Sequence, residues 1–138
     1  MALPEVASKL DEAIGLTLQS ADGGVATLRL EPGEVAMVRE EDLVYLHGGA
    51  LATCIDTAAW YAAESAAPSA GQDWVVATLH MEGLRLAGDE AHRVTGRCLR
   101  AGRTRAVVDV EIAPESDPER VLTVGRVSLA RAPEPSGS

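Results

Sequence analysis

Phenylalanine is missing from this 138-residue chain, and two Trp with two Tyr bring the aromatic share to only 3%. A core without large rings is filled by Val, Leu, Ile and Ala, whose small volumes let packed elements approach closely. Basic residues are also few: 12 Lys and Arg stand against 21 Asp and Glu, a formal charge of -9. That balance disfavours general binding to nucleic acid or to an anionic membrane, where phosphates call for positive charge. No apolar run approaches the roughly 18–20 residues of a membrane span. Residues 1–15 hold no basic segment followed by an apolar stretch, so no secretory signal is read. Cysteine is limited to Cys54 and Cys98, which without such a signal read as free thiols. These absences point to a cytoplasmic protein with one domain, 1–132. A Pro-, Ser- and Gly-rich tail, 133–138, is expected to be flexible.

The charge is uneven. Residues 1–69 carry 3 basic and 11 acidic side chains and residues 70–138 carry 9 and 10, so a local anion site remains open in the second half.

Leu3, Val6, Leu10 and Ile14 recur every three or four residues, which predicts a short amphipathic helix stopped by Gly15. Leu16 and Leu18, then Val25, Leu28 and Leu30 after Asp22-Gly23-Gly24, predict a β-hairpin. Residues 31–42 form an acidic connection broken by Pro32-Gly33. The stretch ALATCIDTAAWYAAESAA, rich in Ala and without alternation, predicts a helix of about four turns closed by Pro68. Strands are predicted at 74–86, 92–100, 104–112 and 121–130, with turns at Gly88-Asp89, at Ala101-Gly102 and between Pro114 and Pro118. Helix, two strands, helix, four strands is the order of an α+β fold with one mostly antiparallel sheet. The long helix is apolar nearly all round and therefore has to be surrounded, which a curved sheet wrapped about it achieves.

One acid, Asp56, interrupts that apolar helix. It either faces an exposed edge with Thr53, Thr57 and Glu64, or it serves chemistry, since an unpartnered buried carboxylate costs several kcal/mol. Upstream, His47-Gly48-Gly49 opens the helix. The first N–H groups of a helix lack internal partners and carry partial positive charge, and two glycines leave them bare for a carbonyl oxygen. An oxyanion donor and a carboxylate together support acyl transfer to water. Gly48 and Asp56 are eight residues apart, about 12 Å along a helix axis. That is too far for both to reach one carbonyl carbon, so if both act on one substrate they have to come from two copies with antiparallel helices, and the hypothesis demands a homodimer.

The stretch LHGGALATCIDTAAWYAA resembles the motif of hotdog-fold acyl-CoA thioesterases, in the phenylacetate-pathway (PaaI-like) and 4-hydroxybenzoyl-CoA thioesterase branch. The likeness continues through the long strand after the helix and the turn in LRAGRTRAVVDVEI. It implies a hotdog fold, a dimer joined further into a tetramer, an acyl-CoA substrate of aryl or medium-chain type, and no metal or other cofactor. By resemblance Asp56 is general base or nucleophile, the Gly48 N–H polarises the thioester carbonyl, and His47 fixes the loop or contacts the thioester. Gly49 and Glu41 are implied substrate-binding positions; Trp60, one turn after Asp56, either walls the acyl pocket or packs in the core, and Thr78 is a further polar candidate in the long strand. The segment with Arg100, Arg103 and Thr104 meets the coenzyme A phosphates. Two departures stand out. The family often places Asn or Gln six residues before the motif His, where this chain has Glu41 followed by Asp42, a second carboxylate able to raise the pKa of Asp56. The family's aromatic-Leu-Arg-Pro run is here Gly83-Leu84-Arg85-Leu86, which implies a differently shaped acyl pocket.

His80-x-Glu82 reads as a surface pair and not a metal motif, because no Pro-Cys-x-x-Cys follows. Cys54 and Cys98 read as structural thiols, and His92 as a surface residue at a strand start. Two other functions remain to be separated from hydrolysis: a hotdog hydratase or dehydratase acting on acyl thioesters, and a non-catalytic acyl-CoA-binding module.

Overall fold

The computed structural model describes residues 3–68 and 73–132, so the expected tail, 133–138, lies outside the described residues. Helix α1 (Lys9–Ile14) is shorter than the sequence pattern. Ser8 caps it, its Oγ accepting from the Asp11 N–H, and Gly15 ends it at φ 91°, a left-handed conformation that favours glycine. The apolar stripe also misleads here. Leu10 is 58% exposed, while Asp11 is only 3% exposed.

Strands β1 (Leu16–Asp22) and β2 (Val25–Leu30) form the expected hairpin about Gly23-Gly24, both at positive φ. The acidic connection is not plain loop. A 3-10 turn (Glu34–Ala36) leads into β3 (Met37–Arg39) and β4 (Val44–Leu46), which pair as a separate ribbon. Three residues per strand are too few to show a period of two. Helix α2 (Gly48–Ala66) has 19 residues, longer than expected.

The remaining strands are β5 (Trp74–Gly83), β6 (His92–Ala101), β7 (Arg105–Pro114) and β8 (Thr123–Arg131). The first of these stops three residues before the sequence estimate. There the chain turns away, with the Leu84 and Arg85 N–H groups donating to the Leu122 carbonyl. The six strands β1-β2-β6-β7-β8-β5 make one antiparallel sheet, and α2 packs against every one of them. The surrounded helix inferred from the sequence is thus the hotdog arrangement.

Close approach has a cause in the sheet as well as in the alanines of α2. A Cβ on Gly96 of β6 would stand 2.9 Å from the Ala58 carbonyl oxygen, and one on Gly125 of β8 would stand 2.8 Å from Ile55 Cγ2. Two bare positions let α2 lie almost on the sheet backbone. At the other end of α2, Trp74 Nε1 and an Arg131 guanidinium nitrogen both donate to the Ala67 carbonyl at 3.0 Å, and Arg131 stacks 3.6 Å over the Trp74 ring. His92 corrects the sequence reading: it is fully buried. Opposite Leu30 in the register, it faces the core, and among the described residues neither ring nitrogen has a hydrogen-bond partner. Cys54 and Cys98 are free thiols, Cys54 wholly buried.

Candidate functional site

The start of α2 sorts the glycine pair. His47 is the N-cap, and its Nδ1 accepts from the Gly49 N–H at 2.8 Å. The Ala50 and Leu51 N–H groups go back to the His47 carbonyl. Among the described residues this leaves the Gly48 N–H with no acceptor, and a Cβ at Gly48 would meet nothing within 4 Å. Gly49 is small for a local reason: a Cβ there would stand 2.9 Å from His47 Nδ1. Of the two glycines, Gly48 presents the open donor.

Asp56 lies on the one stripe of α2 that the sheet leaves uncovered, with Thr53, Trp60 and Glu64 at helical spacing. Thr57, the other residue expected at that edge, is buried instead. The stripe does not face open water alone. Asp56 lines an open cleft of about 460 Å³, walled by Thr53, Thr57 and Trp60 of α2, by Ser8, Leu10 and Asp11, and by Trp74 and Val76 of β5. Trp60 packs edge-on to Tyr61 and donates from Nε1 to Asp73 Oδ1 at 2.9 Å, so its ring is fixed as a wall. Partial burial first, and the charge of Asp11 second, push the Asp56 carboxyl above its ordinary value.

Asp73 lines the cleft as well, but within one copy the carboxylate whose charge acts on Asp56 is Asp11, a residue without a mark in the sequence pattern. Its Oδ1 accepts from Thr57 Oγ1 and its Oδ2 from Ser8 Oγ, both at 2.6 Å. Only the odd burial of an acid on a helix with an exposed Leu marks it, and burial is not written in one sequence. Glu41 is exposed in the turn between β3 and β4 and does not line the cleft.

The other expected site residues spread outward. Thr78 follows a β-bulge at Val76/Thr78, where the register of β5 against β8 shifts. The shift passes the inward parity to Leu79 and Met81, and Thr78 is left exposed on the outer face. Arg100, Arg103 and Thr104 are exposed around the turn between β6 and β7, outside the cleft. His80 and Glu82 are an exposed pair, 3.6 Å apart, as the sequence suggested. Burial raises the Cys54 thiol to about 12, which fits a packed thiol and not a nucleophile. Among the described residues no helix is long and apolar enough to cross a membrane.

Solved structures share this fold. A conserved protein from Pseudomonas aeruginosa is 26% identical with a TM-score of 0.80, covering 93% of this chain and 97% of that one. The PaaI protein from the phenylacetic acid degradation operon of E. coli is 22% identical with a TM-score of 0.77, over 92% and 86%. A Streptococcus mutans protein bound to acetyl CoA is 19% identical with a TM-score of 0.72, over 86% and 90%. No curated protein matches the sequence. The profile of the Thioesterase superfamily matches residues 44–121, from β4 through the glycine pair and Asp56 to the approach to β8. With more than half its length matched and the wrapped helix in place, the chain belongs to the Thioesterase superfamily.

Proposed function

We propose that the protein hydrolyses the thioester of an acyl-CoA, aryl or medium-chain, at a site completed by a second copy of the chain. One observation carries this reading: an unclaimed Gly48 N–H and the cleft acid Asp56 ride on one continuous helix, α2. Eight residues of helix separate them by about 12 Å. A reacting carbonyl sits within about 3 Å of its oxyanion donor and its base. Donor and acid for one substrate then come from different copies. Support for the pairing comes from β5. It is an outer strand of the sheet, ten residues long, and its first residues border the Asp56 cleft. An unpaired edge of that length invites a partner strand. Joining two β5 strands about a two-fold axis turns the two α2 helices antiparallel and forms two equivalent sites.

In this mechanism the Gly48 N–H of one copy donates to the thioester oxygen and stabilises its growing negative charge. Asp56 of the other takes a proton from water as the water oxygen bonds to the carbonyl carbon, or attacks that carbon itself to form a mixed anhydride that water then hydrolyses, freeing the acid and Asp56. The C–S bond breaks and the coenzyme A thiolate leaves, gaining a proton. His47 sets the loop, Trp60 walls the acyl group, and Gly49 borders the substrate. The nucleotide phosphates lie toward Arg100, Arg103 and Thr104. The reading takes 1–132 as one cytoplasmic domain, working as a dimer or as two dimers joined.

The test is an acyl-CoA panel with released thiol trapped, run on wild type, Asp56→Asn and Gly48→Pro. Proline at the first helical position removes the N–H, and His47 already has the extended backbone (φ -59°, ψ 134°) that precedes proline well. Each single variant is expected to lose roughly 10²–10³-fold in kcat or more, with dimers retained. Mixed dimers of the two variants decide the geometry. One of their two sites holds both intact groups, so random mixing restores about a quarter of wild-type activity. A mixture as dead as its parents would refute the shared site. A shifted double bond with the thioester intact would replace hydrolysis by hydration chemistry.

A further inference from the structure

We propose that Asp11 is a positioning residue for the reaction: held in the wall of the Asp56 cleft by Ser8 and Thr57, its negative charge makes Asp56 a stronger base. This rests on the thioesterase reading of that cleft. Ser8-x-x-Asp11 is a helix-capping pair, and capping alone asks for no burial, since such pairs work at the surface. Yet Asp11 is 3% exposed and reaches past its own helix to Thr57 Oγ1, on the residue next to Asp56. Both carboxylate oxygens accept from hydroxyls at 2.6 Å, which holds the group in place in the cleft wall.

The charges around Asp56 all have one sign. From α1 it faces Asp11, and from the lead into β5 it faces Asp73, which is tied to Trp60 Nε1–H and to the Trp74 N–H at 2.9 Å each. Thr53, Thr57 and Trp60 of α2 and Leu129 of β8 bring no charge, and no Lys, Arg or His is among the described residues lining the cleft. For stability alone, placing a buried acid beside a second acid with no cation adds a repulsion that capping does not require. For a base that must accept a proton near neutrality, the same arrangement is an advantage.

The pH dependence of kcat/KM in wild type, Asp11→Asn and Thr57→Val tests this. In Asp11→Asn the acid limb is expected to move down by about 0.5–1 pH unit. One unit below the wild-type midpoint the variant then runs roughly 3- to 5-fold faster relative to its own plateau. Thr57→Val, which removes one hydroxyl from Asp11 and leaves both acids in place, moves the limb in the same direction by less. A purely structural role would lower the plateau and the melting temperature and leave the limb where it is, which overturns the proposal. Should wild type hydrolyse no acyl thioester, the site reading fails separately. The carboxyl titration of Asp56 followed by ¹³C NMR then decides the role of Asp11 without substrate: a midpoint that falls in Asp11→Asn supports it, an unmoved one refutes it.

Discussion

Replacing Asp56 by Asn is expected to make the protein more stable at neutral pH while removing its activity. The carboxyl stands where burial and then Asp11 disfavour its charge, so it holds its proton more tightly folded than unfolded. Stability from this group is full below the unfolded pKa near 4 and is lost as the pH rises through the raised folded value. At pH 7 the ionised group is therefore a net cost that Asn, of the same size and similar helix propensity, does not carry. Its solvent-open position screens the effect, which holds the gain to about 1 kcal/mol or less. For a domain of this size that is about 2–4 °C in Tm. Melting wild type and variant at equal protomer concentration, at pH 7 and again near pH 3.5, should show the gain at the first and little at the second. A variant no more stable at pH 7, or equally stabilised at both, would refute the electrostatic account of Asp56.

Two further outcomes follow from the packing. Gly96→Ala puts a methyl 2.9 Å from the Ala58 carbonyl oxygen, a backbone atom that cannot swing away. The expected loss is about 1–3 kcal/mol, read as a lower urea midpoint at unchanged m. His92 is buried without partners for its ring nitrogens among the described residues, and burial lowers its pKa. The folded state then resists protonation that the unfolded chain accepts near pH 6.5, so stability is present above that pH and falls below it. Urea midpoints at pH 7.5 and 5.5 should differ in wild type and differ less in His92→Leu; equal slopes in both would exclude His92 as the source.

Much of the fold was legible because it rests on local signals. Gly15 stops α1, Gly23-Gly24 turns the first hairpin, and the Ala-rich run after Gly48-Gly49, interrupted at only a few polar positions, announces a helix apolar on nearly every side. Less legible were features whose signal is short or relational. The β3–β4 ribbon has too few residues per strand to show alternation. The bulge in β5 reverses which residues point inward without any mark in WVVATLHMEG. His92 reads as a strand-start surface residue because nothing in its neighbours tells that Leu30 lies opposite.

The same division runs through the site. Sequence alone determined that Gly48 and Asp56 share one helix eight residues apart, because helical rise is a property of the backbone and needs no tertiary information. It equally determined that most of this helix would be enclosed, since a surface apolar on nearly every side has to be removed from water. Only the tertiary structure decided which glycine keeps a free N–H, that Asp56 sits on the single uncovered stripe, and that Asp11 stands beside it. Those depend on which distant segments come to share a few ångströms of space, and a pattern of spacings along the chain holds no record of that.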